Sequence, residues 1–307
     1  MSGGVDNTII ITGGSGFVGQ HLAAELSHRP NTNIISWDQP EIDITDPETF
    51  RRQLEAEQPA WIVHLAGIAA VGTSLKDPDL VRKVNVDGTK NILQAVKQLS
   101  PETRVLVASS ADIYGAKAND YAGQLLPELP LVDALPQNPY GESKLAMERM
   151  IVDEFNDFVI RVRPFPHIGP GQKLGFVTAD FASQIAAIET GRQEPTMQVG
   201  NLEAERDFTD VRDVVRAYRL LLERGQVGEV YHVATSQGTS IQSILDQLVA
   251  LSGMQITVKQ DAERMRPSDI PSLIGDASKL QAATGWKPAI ALDDSLKDIL
   301  EYWRRAQ

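Results

Sequence analysis

The sequence predicts an α/β chain: a doubly wound parallel sheet, with a smaller interleaved domain toward the C-terminus. Three observations predict it. An apolar β-branched run, Ile9-Ile10-Ile11, leads straight into Gly13, Gly16 and Gly19 and then into a helical pattern from Gln20 to Leu26. An unbroken run of that kind suits a strand covered on both faces. Strand-like and helix-like stretches then alternate through the first half, the mark of βαβ crossovers. At 307 residues the chain also exceeds the usual reach of one hydrophobic core, so one large unit or two interleaved ones are expected.

Taken in order, the elements point to a dinucleotide. In the pattern GxxGxxG one glycine permits the tight turn, the next lets backbone N–H groups approach a pyrophosphate, and the third lets helix and strand pack closely. Residues 33–37 read as the second strand, ending at Asp38. A carboxylate there, about 20 residues beyond the glycines, accepts hydrogen bonds from adenosine ribose hydroxyls. It also repels a 2′-phosphate, and no Lys or Arg lies between Pro30 and Phe50 to receive one. NAD(H) is therefore favoured, with NADP(H) possible; Asp38 as an ordinary turn residue is the competing reading. A helix opens near Pro47, capped by Thr45 or Asp46. The third strand, 60–65, closes into Ala66 and Gly67. His64 lies inside it and reads as a core residue, and the five scattered histidines offer no metal site.

A helix is expected over 78–100, with Asn85 in its middle, and a fourth strand over 104–108. That strand delivers Ser109, Ser110, Ala111, Asp112, Ile113 and Tyr114 to the end of the sheet where open α/β folds bind ligands. An irregular loop, 116–139, leads to a helix carrying Tyr140 and Lys144. Four residues apart, the two share a helix face. An ammonium beside a phenol favours the phenolate, so Tyr140 is expected to have a lowered pKa and to serve as acid or base.

Composition narrows the class. A formal net charge of −12 argues against nucleic acid or an anionic membrane surface as partner. The absence of cysteine excludes disulfides, thiolate metal sites and cysteine nucleophiles. No stretch approaches the ~20 apolar residues of a membrane span, and the N-terminus lacks a signal-peptide pattern. A cytoplasmic protein is expected.

With these residues in place, the sequence resembles the extended short-chain dehydrogenase/reductase superfamily over essentially its whole length. The resemblance implies cofactor contacts at Gly13, Gly16, Phe17, Val18, Gly19, Asp38, Asp43, Ile44, Leu65, Ala66, Gly67, Asn85, Tyr140 and Lys144. It implies that Ser110 hydrogen-bonds the substrate oxygen, that Tyr140 exchanges a proton with it, and that Lys144 tunes the tyrosine and holds the nicotinamide ribose. Blocks in the second half, His167-Ile168-Gly169-Pro170-Gly171-Gln172, residues 175–178, residues 199–213 and Arg266-Pro267-Ser268-Asp269, resemble the GDP-mannose branch. That branch includes 4,6-dehydratases and, most similar, GDP-4-keto-6-deoxy-D-mannose reductases of the GDP-D-rhamnose type. A GDP-linked hexose is the implied substrate. Arg206 and Arg266 are implied at the diphosphate, Asp269 at the nucleotide ribose, Phe176 and Val177 at the guanine, and Asn201 beside them. A surface or interdomain salt bridge is the competing reading for each arginine.

The expected division is a Rossmann domain over 1–165 plus about 207–236, and a nucleotide-sugar domain over about 166–206 plus 237–307. Family members commonly dimerise through the helices after the third and fourth strands, so a homodimer is expected. Here those helices carry Ile92, Leu93, Val96, Met147, Met150 and Ile151, which fit a sheet-facing core equally well. Two departures stand out. Pro166 replaces the Asn before His167 in related sequences, removing a side-chain amide. Asp112 occupies the position of the glutamate base of the GDP-mannose dehydratases, one methylene shorter. The reading is a C4-ketone reductase using Ser110, Tyr140 and Lys144, with Asp112 as a further catalytic candidate. The alternatives are a GDP-mannose 4,6-dehydratase, a nucleotide-sugar epimerase, and a dinucleotide-binding sensor without catalysis.

Overall fold

The run Ile9-Ile10-Ile11 is wholly buried and feeds two cores at once: Ile9 and Ile11 join one cluster, Ile10 the other. This is why no polar residue interrupts it, since both faces of its strand are covered. Each isoleucine withdrawn from water contributes about 1.5–3 kcal/mol. The computed structural model describes residues 7–261 and 270–306.

The elements begin with β1 (Asn7–Thr12), α1 (Phe17–Ser27), β2 (Thr32–Trp37), α2 (Pro47–Glu57) and β3 (Trp61–His64). Then come α3 (Val71–Lys76), α4 (Pro78–Arg82), a π-helical segment at Lys83–Gly88, and α5 (Thr89–Leu99). The helix expected over 78–100 thus contains a widened turn around Asn85. Next are β4 (Arg104–Ala108), α6 (Pro139–Glu154) and β5 (Val159–Pro164). Between β4 and α6 the chain makes only short 3₁₀ turns, at Ala111–Ile113, Ala116–Tyr121 and Leu131–Asp133.

The second half holds β6 (His167–Ile168), α7 (Val177–Glu189), β7 (Thr196–Val199), β8 (Glu205–Arg206), β9 (Thr209–Asp210), α8 (Val211–Arg224) and β10 (Val230–Val233). It closes with β11 (Thr239–Ser240), α9 (Ile241–Ser252), β12 (Thr257–Gln260), β13 (Ser272–Leu273), α10 (Ser278–Thr284) and α11 (Leu292–Arg305).

Six parallel strands form the main sheet in the order β10-β5-β4-β3-β1-β2. The chain steps from β1 outward to β2, then crosses to β3 on the other side. That reversal opens a crevice at the carboxyl ends of β1 and β3. A third core gathers Phe181, Ile185, Met197, Ile244, Leu248, Leu296 and Ile299 from α7, β7, α9 and α11. Within 237–307, Leu273, Leu280 and Trp286 pack into the sheet core, with α10 lying against α8 and β10.

The apolar residues expected at a dimer face are used inside the chain. Ile92, Leu93, Val96, Met147 and Ile151 are buried in the core beneath the sheet, with Met150 packed against it. They are sheet-facing core, because α5 and α6 each turn their apolar stripe inward.

A buried ionic cluster ties β5 to α6. Arg163 grips Glu148 with Nε to Oε1 and Nη2 to Oε2, both at 2.9 Å, and its Nη1 donates to Tyr114 Oη at 2.7 Å and to the Leu129 carbonyl at 2.9 Å. Arg161 Nη1 lies 3.7 Å from Glu148 Oε2. Glu148 is wholly buried and balances two guanidinium groups, so its loss strands both charges. Glu148→Ala is expected to lower stability by about 3–5 kcal/mol, read by urea unfolding; a change within experimental error would contradict the cluster's structural role.

Candidate active site

The glycine turn is built by close approach. Gly13 has φ +74°, its N–H donates to the Trp37 carbonyl at 3.0 Å, and a Cβ there would lie 2.8 Å from Ala66 N. A Cβ on Gly19 would lie 2.4 Å from the Gly13 carbonyl oxygen. Gly14, not singled out by the sequence, is equally confined: its Cβ would fall 2.4 Å from Ser36 Oγ. Gly16 is the N-cap of α1. No side chain caps that helix and no acid stands in its first turn. Its leading N–H groups and the positive end of its dipole thus remain for an anion.

Around this turn the structure places the other cofactor candidates. Asp38 directly follows β2 and accepts from Ser15 N at 3.0 Å and Ser15 Oγ at 2.9 Å, which ties the carboxylate to the turn. Asp43 accepts from the N–H and hydroxyl of Thr45, both at 2.8 Å, and these bonds hold its carboxyl below the usual range. Ile44 is buried against Gly88. Leu65 N donates to the Thr12 carbonyl at 3.0 Å, and Ala66 N to Thr12 Oγ1 at 3.3 Å. Phe17 and Val18 lie half-buried on the sheet core, and the Phe17 ring is stacked on His167. A cradle this tight, facing an uncapped helix end, fits a dinucleotide pyrophosphate.

Asn85, expected at the cofactor, binds the loop after β3 to α6. Its Oδ1 accepts from Ile68 N at 2.8 Å, while Nδ2 donates to the Ile68 carbonyl at 3.1 Å and to Ser143 Oγ at 2.9 Å. Both amide hydrogens are committed inside the protein. The side chain therefore shapes the loop after β3, next to Gly67, whose added Cβ would lie 2.9 Å from Asn85 Oδ1.

Ser110, Tyr140 and Lys144 come together at the end of β4. Ser110 caps the short turn that follows, its Oγ accepting from Asp112 N at 3.1 Å, and it also hydrogen-bonds Tyr140. α6 begins at Pro139 with Asn138 Oδ1 accepting from Gly141 N at 2.8 Å, so Tyr140 sits in the first turn. Lys144 Nζ donates to the Ala108 carbonyl at 2.7 Å and lies 6.0 Å from the centre of the Tyr140 ring.

The titration of the pair differs from the sequence expectation. Burial pushes the Tyr140 phenol up, the Asp112 carboxylate adds to that shift, and the Ser110 hydrogen bond opposes it. Lys144 is instead pulled down to about 8 by burial, with Glu148 opposing. Desolvation penalises each charged form, and spacing along a helix does not reveal it. The result is a neutral phenol beside a lysine that titrates near physiological pH.

The remaining candidates stand on the smaller sheets and α7. Phe176 is the N-cap of α7 and 42% exposed, and Val177 is the helix's first residue. Asn201 Oδ1 accepts from Glu203 N at 2.9 Å. Arg206 Nη1 donates to the carbonyls of Glu205 and Ile270, at 2.8 and 2.7 Å. Arg266 and Asp269 lie outside the described residues. Pro166 leaves its carbonyl to accept from Thr209 N at 3.0 Å, which aligns β6 with β9. Sequence reasoning missed Ser15, Thr12 and Ser143; the one available signal was a hydroxyl residue within or beside each recognised motif.

Comparison with known proteins places this geometry. The family model described as GDP-mannose 4,6 dehydratase matches residues 36–299. The chain is 36% identical to the GDP-6-deoxy-D-mannose reductase of Pseudomonas aeruginosa, over 96% of each chain. It is 32% identical to the GDP-6-deoxy-D-talose 4-dehydrogenase of Aggregatibacter actinomycetemcomitans, over 90% of this chain and 91% of that one. The solved structure of RMD from Pseudomonas aeruginosa complexed with NADPH superposes with a TM-score of 0.88 at 36% identity, covering 98% of this chain and 100% of that one.

A methyl group at position 19 should close the turn. Gly19→Ala is expected to weaken dinucleotide binding at least about tenfold, since either the carbonyl of Gly13 or the helix must shift. Fluorescence titration with NADH and NADPH reads it; unchanged affinity for both would contradict the assignment of this turn.

Proposed function

This chain belongs to the GDP-mannose 4,6-dehydratase family of NAD(P)-dependent extended short-chain dehydrogenase/reductases, and we propose that it reduces the C4 ketone of GDP-4-keto-6-deoxy-D-mannose to a GDP-6-deoxyhexose. One observation carries the reading: Ser110, Tyr140 and Lys144 stand together at the end of β4, with Lys144 held by the Ala108 carbonyl and the Tyr140 phenol kept protonated by burial. A neutral phenol is a proton donor, which ketone reduction requires. The names of the reductase and 4-dehydrogenase relatives support the same chemistry.

A reduced nicotinamide supplies hydride to the carbonyl carbon. Ser110 donates a hydrogen bond to the carbonyl oxygen and steadies the charge that develops on it. Tyr140 gives up its phenolic proton to that oxygen, so the C=O bond becomes C–OH and a phenolate remains. Lys144, fixed by the Ala108 carbonyl, stabilises that phenolate while it is protonated. Gly13, Gly16 and Gly19 receive the pyrophosphate, and Asp38 the adenosine ribose. The nucleotide sugar lies in the cleft between the sheet and the third core, with Arg206 toward its diphosphate and Phe176, Val177 and Asn201 around the nucleoside; the family resemblance adds Arg266 for the diphosphate and Asp269 for the ribose. NAD(H) is the preferred cofactor in this reading because the Asp38 carboxylate, held beside the turn by Ser15, accepts from ribose hydroxyls and repels a 2′-phosphate. The NADPH of the Pseudomonas structure makes NADP(H) the alternative.

A second reading has one observation in its favour. The charge of Asp112 is near enough to raise Tyr140, so Asp112 could act as the base of a GDP-mannose 4,6-dehydratase. The two differ in net redox change. Loss of absorbance at 340 nm with GDP-4-keto-6-deoxymannose, and none with GDP-mannose, is the expected result. A keto sugar formed from GDP-mannose without net cofactor consumption would replace the reductase reading with the dehydratase one.

Tyr140→Phe is expected to lower kcat by roughly 10²–10⁴-fold, with full activity as the contradicting result. The pH profile carries a sign. A lysine is charged below its pKa, so Lys144 loses its proton as pH rises through about 8. Initial-rate measurements should show kcat for reduction falling above that pH; a flat profile to pH 10 would contradict the role of the ammonium.

A further inference from the structure

Between the glycine turn and the helix of Tyr140 runs a series of buried hydrogen bonds, joined through Asn85, whose main-chain carbonyl and side-chain amide both take part. Thr12 ends β1 directly before Gly13 and faces His64 across the strand pair. Thr12 Oγ1 lies 2.7 Å from His64 Nδ1, and His64 Nε2 lies 2.9 Å from Thr89 Oγ1. Thr89 Oγ1 donates to the Asn85 carbonyl at 2.7 Å. The Asn85 amide donates to Ser143 Oγ at 2.9 Å, and Ser143 Oγ to the Tyr140 carbonyl at 2.7 Å. Thr12, His64, Asn85, Thr89 and Ser143 are each no more than 4% exposed, so bulk water does not substitute for a missing partner.

The proton positions follow from the ends inward. The Asn85 carbonyl can only accept, so the Thr89 proton points to it and its oxygen must accept from His64 Nε2–H. His64 is neutral, its pKa pulled down to about 3 by burial and then by the Lys144 charge. Nδ1 is therefore bare and accepts from the Thr12 hydroxyl, whose oxygen in turn accepts from Ala66 N. One tautomer satisfies every link. A phenyl or aliphatic side chain at position 64 would leave two buried hydroxyls without their partner.

Both ends of the chain touch functional backbone. Thr12 and Ala66 frame Gly13, where an added Cβ would lie 2.8 Å from Ala66 N. Ser143 secures the first turn of α6, where Tyr140 sits, and Asn85 secures the loop at Ile68. We propose that His64 is a positioning residue: through Thr12 and Thr89 it locks the glycine turn to the catalytic helix, so that a dinucleotide on the turn and the Tyr140 phenol are set in register. This rests on the turn being a dinucleotide site.

The test is a double-mutant cycle read in dinucleotide affinity by isothermal titration, independent of the sugar substrate. Thr12→Val and Ser143→Ala cut the two ends, singly and together, in the unmutated background and with Thr89→Val. Each end variant is expected to weaken binding. Together they should weaken it at least threefold less than the product of their separate effects, because the second cut acts on a chain already broken. With Thr89→Val the effects should simply multiply. Thermal midpoints are measured for every variant; a purely structural role lowers them while the affinity effects multiply in both backgrounds, which overturns the proposal. Non-multiplying effects that persist with Thr89→Val overturn it too. If the unmutated chain binds neither NADH nor NADPH, the dinucleotide reading fails and the proposal with it, an outcome recognisable without any variant.

Discussion

The hydrogen bond from the Lys144 ammonium to the Ala108 carbonyl joins α6, which carries Tyr140, to the end of β4. Much of the site depends on that junction. Ser110 follows Ala108 by two residues, so the same strand end that receives Lys144 also presents the hydroxyl that meets Tyr140. One turn farther along α6, Glu148 is held by Arg163, whose guanidinium also reaches Tyr114 at the far end of the Ser110 turn. Helix and turn are thus fixed to each other twice, once by a charge-assisted hydrogen bond and once by a buried ionic cluster.

Burial then decides the chemistry. Tyr140, Lys144 and His64 are all withdrawn from water, and each is shifted toward its neutral form. The consequences differ with what each group touches. A neutral phenol beside a serine can donate a proton to a ketone oxygen. A lysine near pH 8 remains largely charged in a neutral solution and can stabilise what the phenol leaves behind. A histidine that stays neutral serves as a fixed hydrogen-bonding link, one ring nitrogen donating and the other accepting.

The parallel sheet was legible because the glycine turn and the apolar strands follow one another in the order that a βαβ unit demands. Ser110, Tyr140 and Lys144 were legible because their spacing belongs to a known constellation. Three features were not. The widened turn at Lys83–Gly88 shares the composition of the α-helix on either side of it, and nothing in its periodicity marks the extra residue. The raised phenol of Tyr140 comes from desolvation, which depends on the loop and helix packed over it. The inward use of Ile92, Leu93, Val96, Met147 and Ile151 follows from which stripe of each helix meets the sheet, and an amphipathic pattern fits an interface as well as a core. Arg266 and Asp269 were read from sequence alone and lie beyond the described residues.

Net hydride transfer to the sugar separates the reductase from every alternative that merely borrows the cofactor. The most direct measurement uses NADH or NADPH carrying deuterium on the transferred position, with GDP-4-keto-6-deoxymannose as substrate and mass spectrometry of the purified product. One deuterium bound to carbon in the hexose, formed far more slowly with Tyr140→Phe, is the predicted result. A product formed at the same rate with no deuterium in the sugar would contradict it.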